Sequence, residues 1–163
     1  MKIGYEAKRI FHNKTGLGNY SRDLIRILST YYPDNTYFLY NPKPSEKNLF
    51  NSEKTNIKEC LPKSSFYKMF YNLWRQKAIV GDIVADDIQI YHGLSGEIPL
   101  GINRTKIKTI VTIHDLIFLR YPELYPFLDR IIYRVKFYSA CKNADTIIAI
   151  SEETKKDMSR TQK

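Results

Sequence analysis

Residues 107–126 read IKTIVTIHDLIFLRYPELYP. The apolar, β-branched run Ile110-Val111-Thr112-Ile113 halts at His114-Asp115, and apolar residues resume at Leu116-Ile117-Phe118. Burying His114 or Asp115 without a partner is costly. The pair therefore marks where a buried strand ends and something polar approaches. A short apolar run bounded in this way reads as a core strand.

Working outward, the same punctuation recurs. KIGYEA (2–7), TYFLYN (36–41), IQIYHG (88–93) and DTIIAIS (145–151) are strand-like by β-branched and aromatic content, and NIKECL (56–61) is a weaker candidate. Between them lie helical patterns. In GLGNYSRDLIRILSTYY, Leu17, Tyr20, Leu24, Ile27, Leu28 and Tyr31 recur at steps of three and four, and Pro33-Asp34 ends the run. In FLDRIIYRVKFYSACKNA, the apolar stripe is Leu128, Ile131, Ile132, Val135 and Tyr138 or Ser139, with Asn143 as C-cap. SSFYKMFYNLWRQKAIVGDIV predicts one helix capped by Ser64 or Ser65. Its aromatics are first of all core. Their surplus beside Lys68, Arg75 and Lys77 also fits an interfacial surface. Ser151 caps a last helix whose first turn holds Glu152 and Glu153. Residues 45–55 are polar and predict a loop.

Strands alternating with helices predict an α/β domain: a Rossmann-like open, mainly parallel sheet with helices on both faces. The 163 residues are enough for one domain and not for two. Hydrophobic residues at 43% and charged ones at 26% are ordinary globular values. No apolar run approaches the ~18 residues that span a bilayer. The opening MKIGYEAKRIF has no signal-peptide pattern. Cys60 and Cys141 supply neither a disulfide framework nor a metal spacing, which fits a reducing cytoplasm. The net charge of +9 fits either an ordinary solvated basic surface or an anionic partner: nucleotide phosphates, a lipid phosphate, or the inner face of a membrane in peripheral contact. The basic residues are scattered and no nucleic-acid-binding signature is present, so nucleic acid is not expected.

Ligands of open α/β sheets bind beyond the carboxyl ends of the strands. Here those ends carry Gly16, Gly18 and Asn19; His92, Gly93, Ser95 and Glu97; His114 and Asp115; and Ser151 with Glu152. Gly16 and Gly18 either make a tight turn or let backbone approach a phosphate at a helix N-terminus. Ser21 stands where a dinucleotide fingerprint has its third glycine, and no acid ends the second strand, so a nicotinamide or flavin is not expected. His12, His92 and His114 match no metal spacing.

Taken together, IGYEAKRIFHNKTGLGNYSRDLIRIL, IYHGLSGEIPL, VTIHDLIFLRYPELYP and ADTIIAISEETKKDM resemble, in order, the N-terminal domain of family 4 glycosyltransferases. These are retaining enzymes of GT-B fold. The resemblance rests on Glu6, Lys8 or Arg9, Gly16, Gly18, Tyr20, the two histidine segments and the Ala-Asp strand. It implies an acceptor-side domain over 1–163, with the nucleotide-sugar held by a C-terminal domain absent from this chain. The isolated chain would then be inactive. No metal and no cofactor are implied beyond the nucleotide-sugar donor, and the acceptor is a glycan or lipid-linked. The implied catalytic residues are His114 and Asp115. The implied binding residues are Gly16, Gly18 and Asn19 near the donor diphosphate, and His92, Gly93, Glu97 and Ser151 on the acceptor side. Family habit points to polysaccharide biosynthesis. The alternative is a non-catalytic Rossmann-like binding or interaction module.

Overall fold

A computed structural model describes residues 1–45 and 49–161. Six strands form one sheet: β1 Lys2–Glu6, β2 Thr36–Tyr40, β3 Ile57–Cys60, β4 Ile90–Gly93, β5 Lys108–Ile113 and β6 Thr146–Ala149. All neighbours pair in parallel, in the order β3-β2-β1-β4-β5-β6. The sheet is Rossmann-like, as the strand–helix alternation predicts. Strand order reverses between β1 and β4, which opens a crevice at their carboxyl ends. The helices are α1 Lys8–His12, α2 Gly16–Tyr31, α3 Ser65–Met69, α4 Tyr71–Leu73, α5 Ile79–Ala85, α6 Ile117–Arg120, α7 Phe127–Asn143 and α8 Glu152–Thr161.

Side-chain alternation along each strand sends residues to opposite faces. On β2, Tyr37 and Leu39 join Tyr5, Ile10 and Ile25 in a core under α1 and α2. Phe38 and Tyr40 join Trp74, Ile79, Ile83 and Tyr91 on the other face. A third cluster places Phe137 and Ala140 of α7 and Met158 of α8 with Val111 and Ile113 of β5. Asp145 fastens β6 to β5 by accepting from the backbone N–H and hydroxyl of Thr109, each at 2.9 Å.

Three helical expectations change. In α2 the buried line is Gly18, Ser21, Arg22, Ile25 and Ser29. Leu17, Tyr20, Leu24 and Leu28 only flank it, and Ile27 and Tyr31 are exposed. Small residues on the centre line let the helix sit close, so the large apolar ones spread to its sides. In α7, Leu128, Ile131, Ile132 and Val135 are exposed, and Phe137 and Ala140 face the core. This helix is apolar on two faces, and the more aliphatic one is turned outward. The single helix expected after Ser64 is broken into α3, α4, a π-helical turn Trp74–Ala78 and α5. Of its aromatics Trp74 is buried, whereas Phe66 and Phe70 are exposed. At residues 46–48 the loop expected over 45–55 lies outside the described residues. No helix among the described residues is long and apolar enough to cross a membrane.

Candidate functional site at the carboxyl edge of the sheet

Beyond β1 the chain makes α1, then turns at Asn13–Thr15 into α2. The Asn13 side-chain oxygen accepts from the N–H groups of Thr15 and Gly18 at 2.8 and 3.2 Å. The Arg22 guanidinium donates to the carbonyls of Ile10 and Asn13 at 2.9 and 2.8 Å and to Asn19 Oδ1 at 2.6 Å. Gly18 is required by packing, because a Cβ there would overlap the Asn13 carbonyl. Gly16 is different: it is exposed, and a Cβ would meet nothing within 4 Å. The N–H groups of Gly16 and Leu17 precede the first helical hydrogen bond and point out of the helix end. Of the predicted trio, Gly16 is thus the open position, and the side chain of Asn19 is committed to Arg22.

Glu6, the last residue of β1, is 3% exposed. A carboxylate so placed needs partners, and it has several. Its Oε1 accepts from Lys8 N–H at 3.1 Å, and its Oε2 from the Ser95 hydroxyl at 3.0 Å. Arg75 Nη1 lies 3.5 Å from Oε1. Arg75 Nη2 also reaches Glu97 Oε2 at 3.1 Å, and Lys136 Nζ reaches Glu97 Oε1 at 3.0 Å. The result is a chain of charges, Glu6–Arg75–Glu97–Lys136, joining β1, the π-helical turn, the loop after β4 and α7. Burial opposes the charge on Arg75, but Glu6 and Glu97 outweigh it and hold the guanidinium above its ordinary value. Its Nε is buried without an acceptor among the described residues. The loop is drawn tight at Gly93, where a Cβ would overlap the Glu97 carbonyl.

His114 follows β5 directly. Its Nε2 lies 2.8 Å from the Leu94 carbonyl. A carbonyl only accepts, so Nε2 carries the hydrogen, which leaves Nδ1 as the ring nitrogen open to a ligand. The Tyr20 ring stands edge-on to it, with centroids 5.0 Å apart. Asp115 is exposed and accepts from Ile117 N–H at 3.2 Å, so the ring is held by Leu94 and not by its neighbour. A cavity of about 220 Å³ is lined by His114, Asp115, Leu17, Arg9, Glu97 and Lys136, among others. The turn into α2, the loop after β4 and the end of β5 therefore meet at one rim.

Two predicted residues point elsewhere. His92 is buried on the α2 face, 2.8 Å from Thr112 Oγ1 and packed by Tyr5. Burial pushes its pKa down to about 4, so the ring is neutral. Ser151 caps α8, accepting from Thr154 N–H at 3.1 Å, and the Thr154 hydroxyl donates to the His114 carbonyl at 3.0 Å. Ser151 thus steadies the histidine's backbone from behind.

A second cavity, about 650 Å³, adjoins the first and shares Glu97 and Lys136 with it. Its charged side holds Glu6, Lys8 and Arg75, and its apolar side holds Ile98, Leu100, Ile131, Ile132 and Val135. Sequence reasoning missed Arg75 and Lys136 as site residues. The sequence places Arg75 with Lys68 and Lys77 on an interfacial helix surface, and Lys136 reads as one lysine on a helix; neither pattern signals a buried chain of charges. Burial pushes the thiols of Cys60 and Cys141 up to about 11, which favours the protonated form at neutral pH. Among the described residues no cluster of three His, Cys, Asp or Glu side chains could hold a metal ion. No protein-family model matches the chain, and neither a curated protein nor a solved structure matches it significantly.

Proposed function

We propose that this chain is the acceptor-side domain of a retaining, metal-independent glycosyltransferase of the family 4 type. The supporting observation is the convergence of the α2 turn, Glu97 and His114 on one rim at the strand-order reversal. Glycosyl transfer builds positive charge on the sugar and negative charge on the departing diphosphate. Donors fixed in advance where that charge develops lower the barrier. In this reading the N–H groups at Gly16 and Leu17 and the guanidinium of Arg9 meet the diphosphate. The Nδ1 of His114, held through Nε2, accepts from a sugar hydroxyl. Glu97, carried by Arg75 and Lys136, faces the acceptor. The nucleotide-sugar itself is assigned to a second α/β domain, so residues 1–163 alone bind acceptor but turn over no donor. The setting is cytoplasmic, at or near the membrane's inner face, in polysaccharide assembly.

A second reading, a non-catalytic binding module, draws on the internal satisfaction of Asn19, His92 and Ser151. One experiment separates the two. The chain is assayed with nucleotide-sugars, alone and with whatever coding sequence continues its frame, as wild type and as His114→Ala. The enzyme reading expects transfer by the longer product and a loss of about 10²-fold or more in His114→Ala, with unchanged melting temperature. Transfer unaffected by the substitution removes His114 from the mechanism. No transfer by any product leaves the binding module.

A further inference from the structure

The 650 Å³ cavity lies within the size range of ligand sites, and its two sides differ in kind. The carboxylates of Glu6 and Glu97 are each taken by protein donors: Ser95 and Arg75 for one, Arg75 and Lys136 for the other. Lys8 also lines the cavity, but its ammonium makes no ion pair among the described residues. Burial, with Arg75 and Arg9 nearby, pushes its pKa down. Glu6 and Glu97 attract this ammonium only from beyond ion-pair distance, so the wall holds three cations, Lys8, Arg75 and Lys136, against two carboxylates.

Opposite stand Ile131, Ile132 and Val135, which are 45%, 48% and 62% exposed. They belong to the face of α7 that the sheet does not use. Leu128, one turn earlier and 70% exposed, continues the apolar track out of the cavity. An apolar face left open beside a wall with one cation in excess calls for an occupant that is anionic at one end and hydrocarbon at the other.

We propose that this cavity binds a single-chain lipid phosphate, with the phosphate at Lys8 and the hydrocarbon chain along Ile132, Val135 and Leu100. The adjoining rim at His114 then receives whatever the phosphate carries. The assignment rests on the acceptor-side reading only in calling this ligand the acceptor; the chemistry of the cavity stands apart from it.

The test is calorimetric binding to the chain, with farnesyl phosphate below its micelle concentration, farnesol, inorganic phosphate and phosphatidylglycerol vesicles as probes. Farnesyl phosphate is expected to bind saturably with one site. Farnesol binds at least tenfold more weakly, and inorganic phosphate gives no measurable heat. Lys8→Gln weakens farnesyl phosphate about tenfold and leaves farnesol unchanged. Ile132→Asp, at a half-exposed position that folding tolerates, abolishes both while the melting temperature holds. Absence of saturable farnesyl phosphate binding, binding unchanged in Ile132→Asp, or binding to vesicles but not to the soluble phosphate would each overturn the assignment. Because no transfer is measured, a chain that binds the lipid but belongs to no active enzyme refutes the proposed function alone. An active enzyme that ignores the lipid refutes this inference alone.

Discussion

Gly18→Ala tests the entry to α2 more sharply than any other substitution. An added Cβ lies 2.8 Å from the Asn13 carbonyl carbon and 3.0 Å from Arg22 Nη1, and overlaps the carbonyl oxygen deeply. To restore van der Waals separation the carbonyl must retreat by roughly 1 Å. It cannot do so freely, because it accepts from Arg22 at 2.8 Å, and the Asn13 side chain caps Gly18 itself. Overpacking of this kind costs about 1–3 kcal/mol. Weakening a charge-assisted hydrogen bond adds about 1.5 kcal/mol. A total of about 3 kcal/mol lowers the melting temperature of a domain this size by roughly 10 °C. Gly16→Ala is the control. Its methyl meets open space, and removing a glycine from a helical position is neutral or stabilising by up to about 1 kcal/mol. Urea titration of both variants beside wild type measures the difference. Gly18→Ala unfolding at the wild-type midpoint, or both variants shifting alike, would refute the assignment of a packing role to one glycine and an open approach to the other.

Two further outcomes follow from buried charge. Arg75→Met strips the counter-charge from Glu6, and the loss should be about 3 kcal/mol by denaturant titration. That is the lower end for a broken buried pair, because Glu97 keeps Lys136. A change under 0.5 kcal/mol would show that the network is not coupled to folding. His92, neutral in the fold with its pKa near 4, is protonated in the unfolded chain below its ordinary 6.5. Its contribution is complete above pH 6.5 and is lost as pH falls toward 4, to a limit of about 3 kcal/mol at 1.36 kcal/mol per unit. His92→Gln should flatten the stability–pH slope in that window, and equal slopes in the two proteins would contradict the burial argument.

The strands and their ends were legible because buried β runs break where polar side chains begin, and His114-Asp115 is such a break. Parallel pairing followed from the helices between β1 and β2, β3 and β4, and β5 and β6, whereas the β4–β5 connection carries only a 3-10 turn. The roles within the site were less legible. Asn19, His92 and Ser151 are residue types that equally serve a ligand or a neighbour, and three-dimensional contacts decide between the two. Arg75 reads, with Lys68 and Lys77, as part of an interfacial helix surface, and Lys136 as one solvated lysine, so neither announces a buried ion pair. Helical periodicity located the amphipathic stretches but misjudged which side meets the sheet. In α2 the closest approach selects glycine and serine over leucine. In α7 both sides are apolar, so hydrophobicity has no preferred direction to report.

The π-helical turn at Trp74–Ala78 has a consequence for how this sequence can change. Such a turn holds one residue more than an α-helical turn, and each residue of an α-helix advances the azimuth by about 100°. Loss of a single codon just after Gln76 could be absorbed as an ordinary α-helix, with Ile79 and Ile83 still inserted in their core. Residues upstream would keep their azimuth, because the wider turn only takes up that one residue, and the side chains inside the turn, the guanidinium at 75 among them, would be re-aimed away from both carboxylates. The scaffold would survive an indel that disarms the crevice, so length polymorphism here separates foldability from ligand recognition in one genetic step.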